Sequence, residues 1–273
     1  MNPMTITSPR FATPGSVHPL AAVDDILDVL FDVSSHSESL MAVRHPGRAG
    51  GCDFDIPKFM LLGQRGGGKP IRIALLAGVD DHGSLDGLSA IARLLMQTEL
   101  NPSLARDYAI FAYPLVDVFE FQTPEIPLDP FYRRYAEDRA DGDVRFFRAE
   151  LRKWGFDGIV TLRTDPRAEG FHAIVRSELI ANEVIRPALG PVGRVTAVND
   201  RPIKLRPGDL PARIADAADG RLTPPPDVRP RPFEVELFAP GNVPKESRVS
   251  SLFVATHEIL RHYRRLISYA ADI

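Results

Sequence analysis

Cysteine is almost missing from this chain: Cys52 is the single one among 273 residues. One thiol excludes internal disulfides and cysteine-rich zinc modules, and it suits a reducing compartment. Positive charge is not in excess either. Lys plus Arg number 33 against 36 Asp plus Glu, a net charge of -3, which argues against nucleic-acid binding driven by phosphate neutralisation. Long apolar runs are lacking too. No stretch approaches the roughly 20 apolar residues that span a bilayer, and the N-terminus, with Pro9, Arg10, Pro14 and Ser16, has no run of signal-peptide length. The expectation is a soluble, cytoplasmic protein with neither a nucleic-acid nor a membrane partner. What is present, 44% hydrophobic and 25% charged residues, is ordinary for a globular chain. Residues 1–18, rich in Pro, Ser and Thr, read as a loosely ordered leader, and residues 19–273 as a single domain.

The chain is organised around residues 70–95. An apolar run from Ile71 to Val79 gives way to a polar turn, Asp80 to Gly87, and then to Leu88, Ile91, Leu94 and Leu95 at helical spacing. This is a strand, a tight corner and a helix. Ligands of open α/β sheets collect where a strand's carboxyl end meets the next helix, so Asp80, Asp81, His82, Ser84 and Asp86 are the first candidates for chemistry. The bland alternative is a polar turn in which Ser84 or Asp86 caps the helix.

Other elements follow from periodicity. Leu20, Val23, Ile26, Leu27, Leu30 and Phe31 mark a first helix. Phe59–Leu62 and Ile71–Ala77 flank a glycine-rich stretch, Gly63 to Pro70, and read as a hairpin. That stretch partly matches a phosphate-binding loop, but Pro70 follows Lys69 where Ser or Thr is needed, and a strand follows instead of a helix, which favours a turn. Tyr108–Val116 and Gly158–Leu162 are strands, and Asp143–Lys153 is a helix closed at Trp154-Gly155. Phe171–Ile185 reads as a helix, and the segment from there to about Gly220 is broken by Pro and Gly and has no clear assignment. In Phe233–Phe238 the residues Glu234 and Glu236 alternate with Phe233, Val235 and Leu237, so both glutamates share one strand face. A helix from about Val249 to Ala270 ends the chain. Its His257 and His262, five apart, lie about 140° around it and share no face. Ser34, Ser35 and Ser37 beside His36 lack the Gly-x-Ser-x-Gly elbow that would support a nucleophile. Strands interleaved with helices predict a three-layer α/β/α domain with a mixed, largely parallel sheet.

The order of elements resembles the zinc carboxypeptidase superfamily, a phosphorylase/hydrolase-like architecture, especially its branch near succinylglutamate desuccinylase and aspartoacylase. There a core strand ends in Ala-Gly-x-His-Gly-x-Glu-x-x-Gly, whose His and Glu bind zinc. That motif falls on Ala77 to Gly87; without a gap Asp81 and Ser84 take the ligand positions, and a shift of one residue places His82 and Leu85 there. The family's Asp-Leu-Asn-Arg-x-Phe segment, which binds substrate carboxylate, falls on Phe131-Tyr-Arg-Arg-Tyr135, keeping Arg133 and replacing Asn with Tyr132. The third ligand motif falls on Thr161-Leu162-Arg163, with Arg163 at the histidine. The Thr-x-Glu-Leu segment falls on Glu234-Val-Glu-Leu237, preserving Glu236, the family's general base.

Catalytic zinc needs three ligands from His, Asp, Glu or Cys and an open position for water. The aligned residues offer Asp81 or His82, a poor ligand in Ser84, and a repelling cation in Arg163. The resemblance therefore implies a pseudoenzyme: a carboxypeptidase-like protein without zinc that binds a small carboxylate ligand or a protein partner, with Arg163 near Asp81 in place of the metal. Arg163 turned outward is the alternative. The competing reading is an active metal-dependent hydrolase, a carboxypeptidase or N-acyl amino acid amidohydrolase. It would use zinc, or a site rebuilt from Asp80, Asp81, His82 and Asp86, with Glu236 as base and Arg133 and Tyr132 holding the substrate carboxylate.

Overall fold

The computed structural model describes residues 19–49, 52–64, 66, 69–79, 84–118, 131–137, 141–205 and 232–271. The leader 1–18, Asp80, Asp81 and His82 of the corner, and all of 206–231 lie outside the described residues.

Eight strands form one mixed sheet in the order β1-β2-β4-β3-β5-β8-β6-β7. They are β1 (Leu40–Ala49), β2 (Cys52–Leu62), β3 (Ile71–Leu76), β4 (Tyr108–Tyr113), β5 (Gly158–Asp165), β6 (Phe171–Val175), β7 (Val198–Leu205) and β8 (Phe233–Pro240). β4, β3, β5 and β8 run parallel through the centre, while β1, β2 and β6 introduce antiparallel pairings. The helices are α1 (Pro19–His36), α2 (Asp86–Leu100), α3 (Phe131–Ala136), α4 (Gly142–Trp154), α5 (Glu178–Ile180), α6 (Arg186–Val192) and α7 (Lys245–Ala271), with a π-helical turn at Ala181–Ile185 joining α5 to α6.

Central parallel strands are covered on both faces, and their sequences show it: every residue of β4 and β8 is buried. Alternation decides which helix each side chain meets. Tyr113 packs edge-on against Phe147 of α4, with centroids 5.1 Å apart, and Phe233 packs on Tyr263 of α7 at 4.5 Å. α2 approaches β5 closely at Gly87, where a Cβ would stand 2.6 Å from the Leu162 carbonyl oxygen. Only glycine fits there, so the corner's last residue sets how near the helix lies to the sheet. Gly155, at φ +53°, takes the left-handed turn that ends α4, as its place after Trp154 predicts.

Three readings of the sequence are corrected. β2 and β3 are not a hairpin: β4 inserts between them, and the true hairpin joins β1 to β2. Phe171–Val175 is a strand, and the helix begins only at Glu178. Leu85, not Ser84 or Asp86, is the residue before α2; the Ser84 hydroxyl reaches in from one position earlier and accepts the Asp86 backbone N–H at 3.3 Å.

Candidate functional site

In-register neighbours of a sheet point to the same side. Tyr113, Leu76, Thr161, Glu236 and Ile174 form one such row across β4, β3, β5, β8 and β6. Tyr113 faces α4, so Glu236 projects into the α4 side of the sheet, towards the carboxyl ends of the parallel strands. Its side chain is 3% exposed.

Arg163, two residues beyond Thr161 and on the same face, turns inward. Its Nη1 lies 3.5 Å from Oε2 of Glu236, and its side chain keeps 19% exposure. The guanidinium carbon stands 5.3 Å from the Phe238 ring centroid and 6.0 Å from that of Tyr132 on α3. Aromatic faces favour a cation at such distances. The structure thus brings together three residues singled out from the sequence, Glu236, Arg163 and Tyr132. The Thr161 hydroxyl beside Glu236 is buried with no hydrogen-bond partner among the described residues. Glu234, on the same face, has its own arginine: Arg176 Nε lies 3.5 Å from its Oε2.

Adjacent arginines on α3 part company. Arg133 is 64% exposed and pairs with Glu137 one turn on, at 2.9 Å. Arg134 is fully buried and reaches Asp117 at 2.9 Å, Asp141 at 3.2 Å and Asp143 at 2.9 Å. Burial works against the Arg134 charge, but the hydrogen bond to Asp143 and the charges of Asp117 and Asp143 overcome it and hold its pKa above the ordinary value. The phase of the short helix carries the difference, because Phe131, Arg134 and Tyr135 share its inner side. That apolar spacing was the available signal for Arg134 as the buried member.

At the corner, Asp86 is 2% exposed and accepts from Arg248 Nε at 2.6 Å and from the Thr164 hydroxyl at 2.9 Å. Ser84 donates to the same Asp86 oxygen at 3.0 Å, and its hydroxyl oxygen lies 3.3 Å from that of Thr164. The first turn of α2 is thereby tied to α7 and to the end of β5. Asp86 is a structural anchor that the sequence presented only as one acid among several.

These described residues do not fit a zinc ion. The Ser84 hydroxyl is engaged by Asp86 and Thr164, and the Arg163 guanidinium faces Glu236. A dication beside a guanidinium is repelled, and neither group supplies the anionic or imidazole donor that zinc needs.

No known family profile matches the sequence, and no curated protein matches it. Solved structures do match. A metallo-carboxypeptidase from Burkholderia cenocepacia superposes with a TM-score of 0.66 at 10% identity, covering 90% of this chain and 69% of its own. The fold is that of the metallo-carboxypeptidases. A protein from Shewanella amazonensis, provisionally classed as a metallopeptidase, matches at TM-score 0.61 and 14% identity, over 89% of this chain and 92% of that one. Bovine thrombin-activatable fibrinolysis inhibitor, in complex with tick carboxypeptidase inhibitor, gives 0.58 at 11%, over 90% and 97%. At these identities the likeness is one of carboxypeptidase-like architecture.

Among the described residues, no helix is long and apolar enough to cross a membrane.

Proposed function

We propose that this carboxypeptidase-like chain is a pseudoenzyme in which the Arg163–Glu236 ion pair stands where a zinc site would be, and that it binds a small carboxylate-bearing molecule, or the carboxyl end of a peptide, without hydrolysing it. The observation that carries this reading is the 3.5 Å approach of Arg163 to Glu236 at the strand ends. A guanidinium presents a planar fork suited to a carboxylate, and Arg163 keeps enough exposure to accept one while Glu236 balances its charge from below. Tyr132 walls the same spot, and Arg133, at the outer surface of α3, is the second anchor once it exchanges Glu137 for the ligand. A structural neighbour, a metallo-carboxypeptidase from Pseudomonas aeruginosa, has been solved with (2-guanidinoethylmercapto)succinic acid, a carboxylate ligand.

A second reading keeps the activity. Glu236 is retained and buried at the carboxyl edge, as a general base would be, and Asp81 or His82 would contribute to the metal. The chain would then be a metal-dependent carboxypeptidase or N-acyl amino acid amidohydrolase.

Metal analysis and turnover separate the two. The purified chain is assayed for zinc, for hydrolysis of N-acyl amino acids and free-carboxyl dipeptides with zinc supplied, and for binding of the same compounds. Binding without turnover, weakened in Arg163→Gln, is the expected result. About one zinc per chain, removable by chelator with loss of hydrolysis, overturns it in favour of the hydrolase.

A further inference from the structure

At the β1 edge of the sheet, β2 pairs with β4 only over Phe59–Leu62, and the rest of the β1–β2 hairpin runs on past β4 beside α4. Between hairpin and helix lies a cleft of about 730 Å³. β4 and β3 separate its strands from β5 and β8, so it is a different place from the Arg163–Glu236 pair.

The charge of the cleft runs against that of the chain. Arg48, Lys58, Arg145 and Lys153 line it, against the carboxylates Asp53 and Glu150. Both carboxylates are taken. Asp53 lies 3.5 Å from Arg48. Glu150, 10% exposed, pairs with Lys58 and accepts from the Tyr113 hydroxyl at 2.7 Å and the Trp154 indole at 3.0 Å. Among the described residues that leaves Arg145 and Lys153 as cations that no lining carboxylate answers. They stand two turns apart on one ridge of α4, separated by the small, exposed Ala149, so about 12 Å of helix separates two positive ends with open space between. His45 lies against Phe146, centroids 4.6 Å apart, and makes a flat wall beside that space.

We propose that this cleft is a second binding site, for a small organic polyanion whose two anionic groups reach Arg145 and Lys153 and whose flat or apolar middle rests over Ala149 against His45 and Phe146. Carboxylate and phosphate share the required chemistry, and the probes tell them apart.

The test is calorimetric titration of the full chain with inorganic pyrophosphate, citrate and a nucleoside diphosphate, at low and at moderate salt. The expected result is one site per chain for citrate or the nucleoside diphosphate, with affinity falling as salt rises. The double variant Arg145→Glu/Lys153→Glu is expected to weaken it about a hundredfold, about tenfold for each contact. Arg152→Glu, the same reversal on the same helix outside the cleft, is expected to leave it unchanged. Ala149→Leu, which narrows the cleft at constant charge, weakens the nucleoside diphosphate most and decides the matter if the double variant fails to fold. The nucleoside diphosphate without citrate assigns phosphate, and citrate alone assigns carboxylate; either supports the site, whereas pyrophosphate as the one probe that binds overturns it, because it has no organic middle and does not span the two cations. No binding of any probe, a folded double variant that binds like the parent, or an equal loss in Arg152→Glu overturns it.

Discussion

Arg163 and Glu236, 73 residues apart in sequence, meet across β5 and β8 because Thr161 stands in register with Glu236 and Arg163 lies two residues further along the same face. The glutamate is the more buried partner, at 3% against 19%. Removing one member of such a pair leaves a charge with poor compensation. Arg163→Met and Glu236→Gln are each expected to lower unfolding free energy by about 3 kcal/mol. The double variant is expected to recover at least about 1 kcal/mol of the summed loss. Urea titration of all four proteins checks this; additive losses would show that the two groups do not act on each other.

Asp86 makes a comparable link between the start of α2, Arg248 on α7 and Thr164 of β5. Asp86→Asn keeps the shape but loses the charge that Arg248 faces, and is expected to cost about 2 to 3 kcal/mol. Arg248→Ala is expected to cost a similar amount, with strong coupling between the two in a double-mutant cycle. A cost below about 0.5 kcal/mol for Asp86→Asn would return the residue to the status of a surface turn acid.

The corner itself was legible, since the switch from Ile71–Val79 to the spaced leucines of α2 is a change of period, and so was β8 with its alternating glutamates. β1 was not. It is an edge strand with Arg44, His45, Pro46 and Gly47 in its middle, whose composition does not report a strand because most of its residues meet water. The false hairpin came from proximity in sequence, whereas the sheet places a strand from later in the chain, β4, beside β2. Phe171–Val175 is a short apolar run, and such runs do not separate strand from helix by periodicity. Motif order singled out Glu236 and Arg163, but it set Arg163 beside Asp81, and the contact with Glu236 needs strand register. The roles of Arg133 and Arg134 depend on the phase of one short helix.

Those two arginines give a sharp contrast. Arg133→Ala breaks an exposed pair within one helix and is expected to cost under about 0.5 kcal/mol. Its effect is expected in carboxylate binding instead, read by titration calorimetry. Arg134→Met leaves the buried Asp117 and Asp143 without their cation and is expected to cost more than about 3 kcal/mol, or to prevent folding. Arg134→Lys, which keeps the charge but loses the fork, should fall between. Equal stability of the Arg133 and Arg134 variants would refute the assignment.

His172 predicts how stability depends on pH. Its ring lies flat on Phe238, centroids 4.8 Å apart, with Asn199, Lys204 and Asp165 around it. Burial and then Lys204 push its pKa below the ordinary 6.5, against the opposing pull of the Gly170 backbone and of Asp165. The folded protein therefore keeps His172 neutral to a lower pH than the unfolded chain does. As pH falls through 6.5 the unfolded state binds the extra proton, so the contribution is full above that value and is lost progressively below it. His262, lowered by burial and by Arg261, acts with the same sign. Unfolding free energy is expected to decline between about pH 7 and about pH 5, and His172→Gln to flatten part of that decline while His262→Gln flattens another. Denaturant titrations across this range measure both slopes; a His172→Gln variant with the parent's pH dependence would show that the buried imidazole titrates alike in both states.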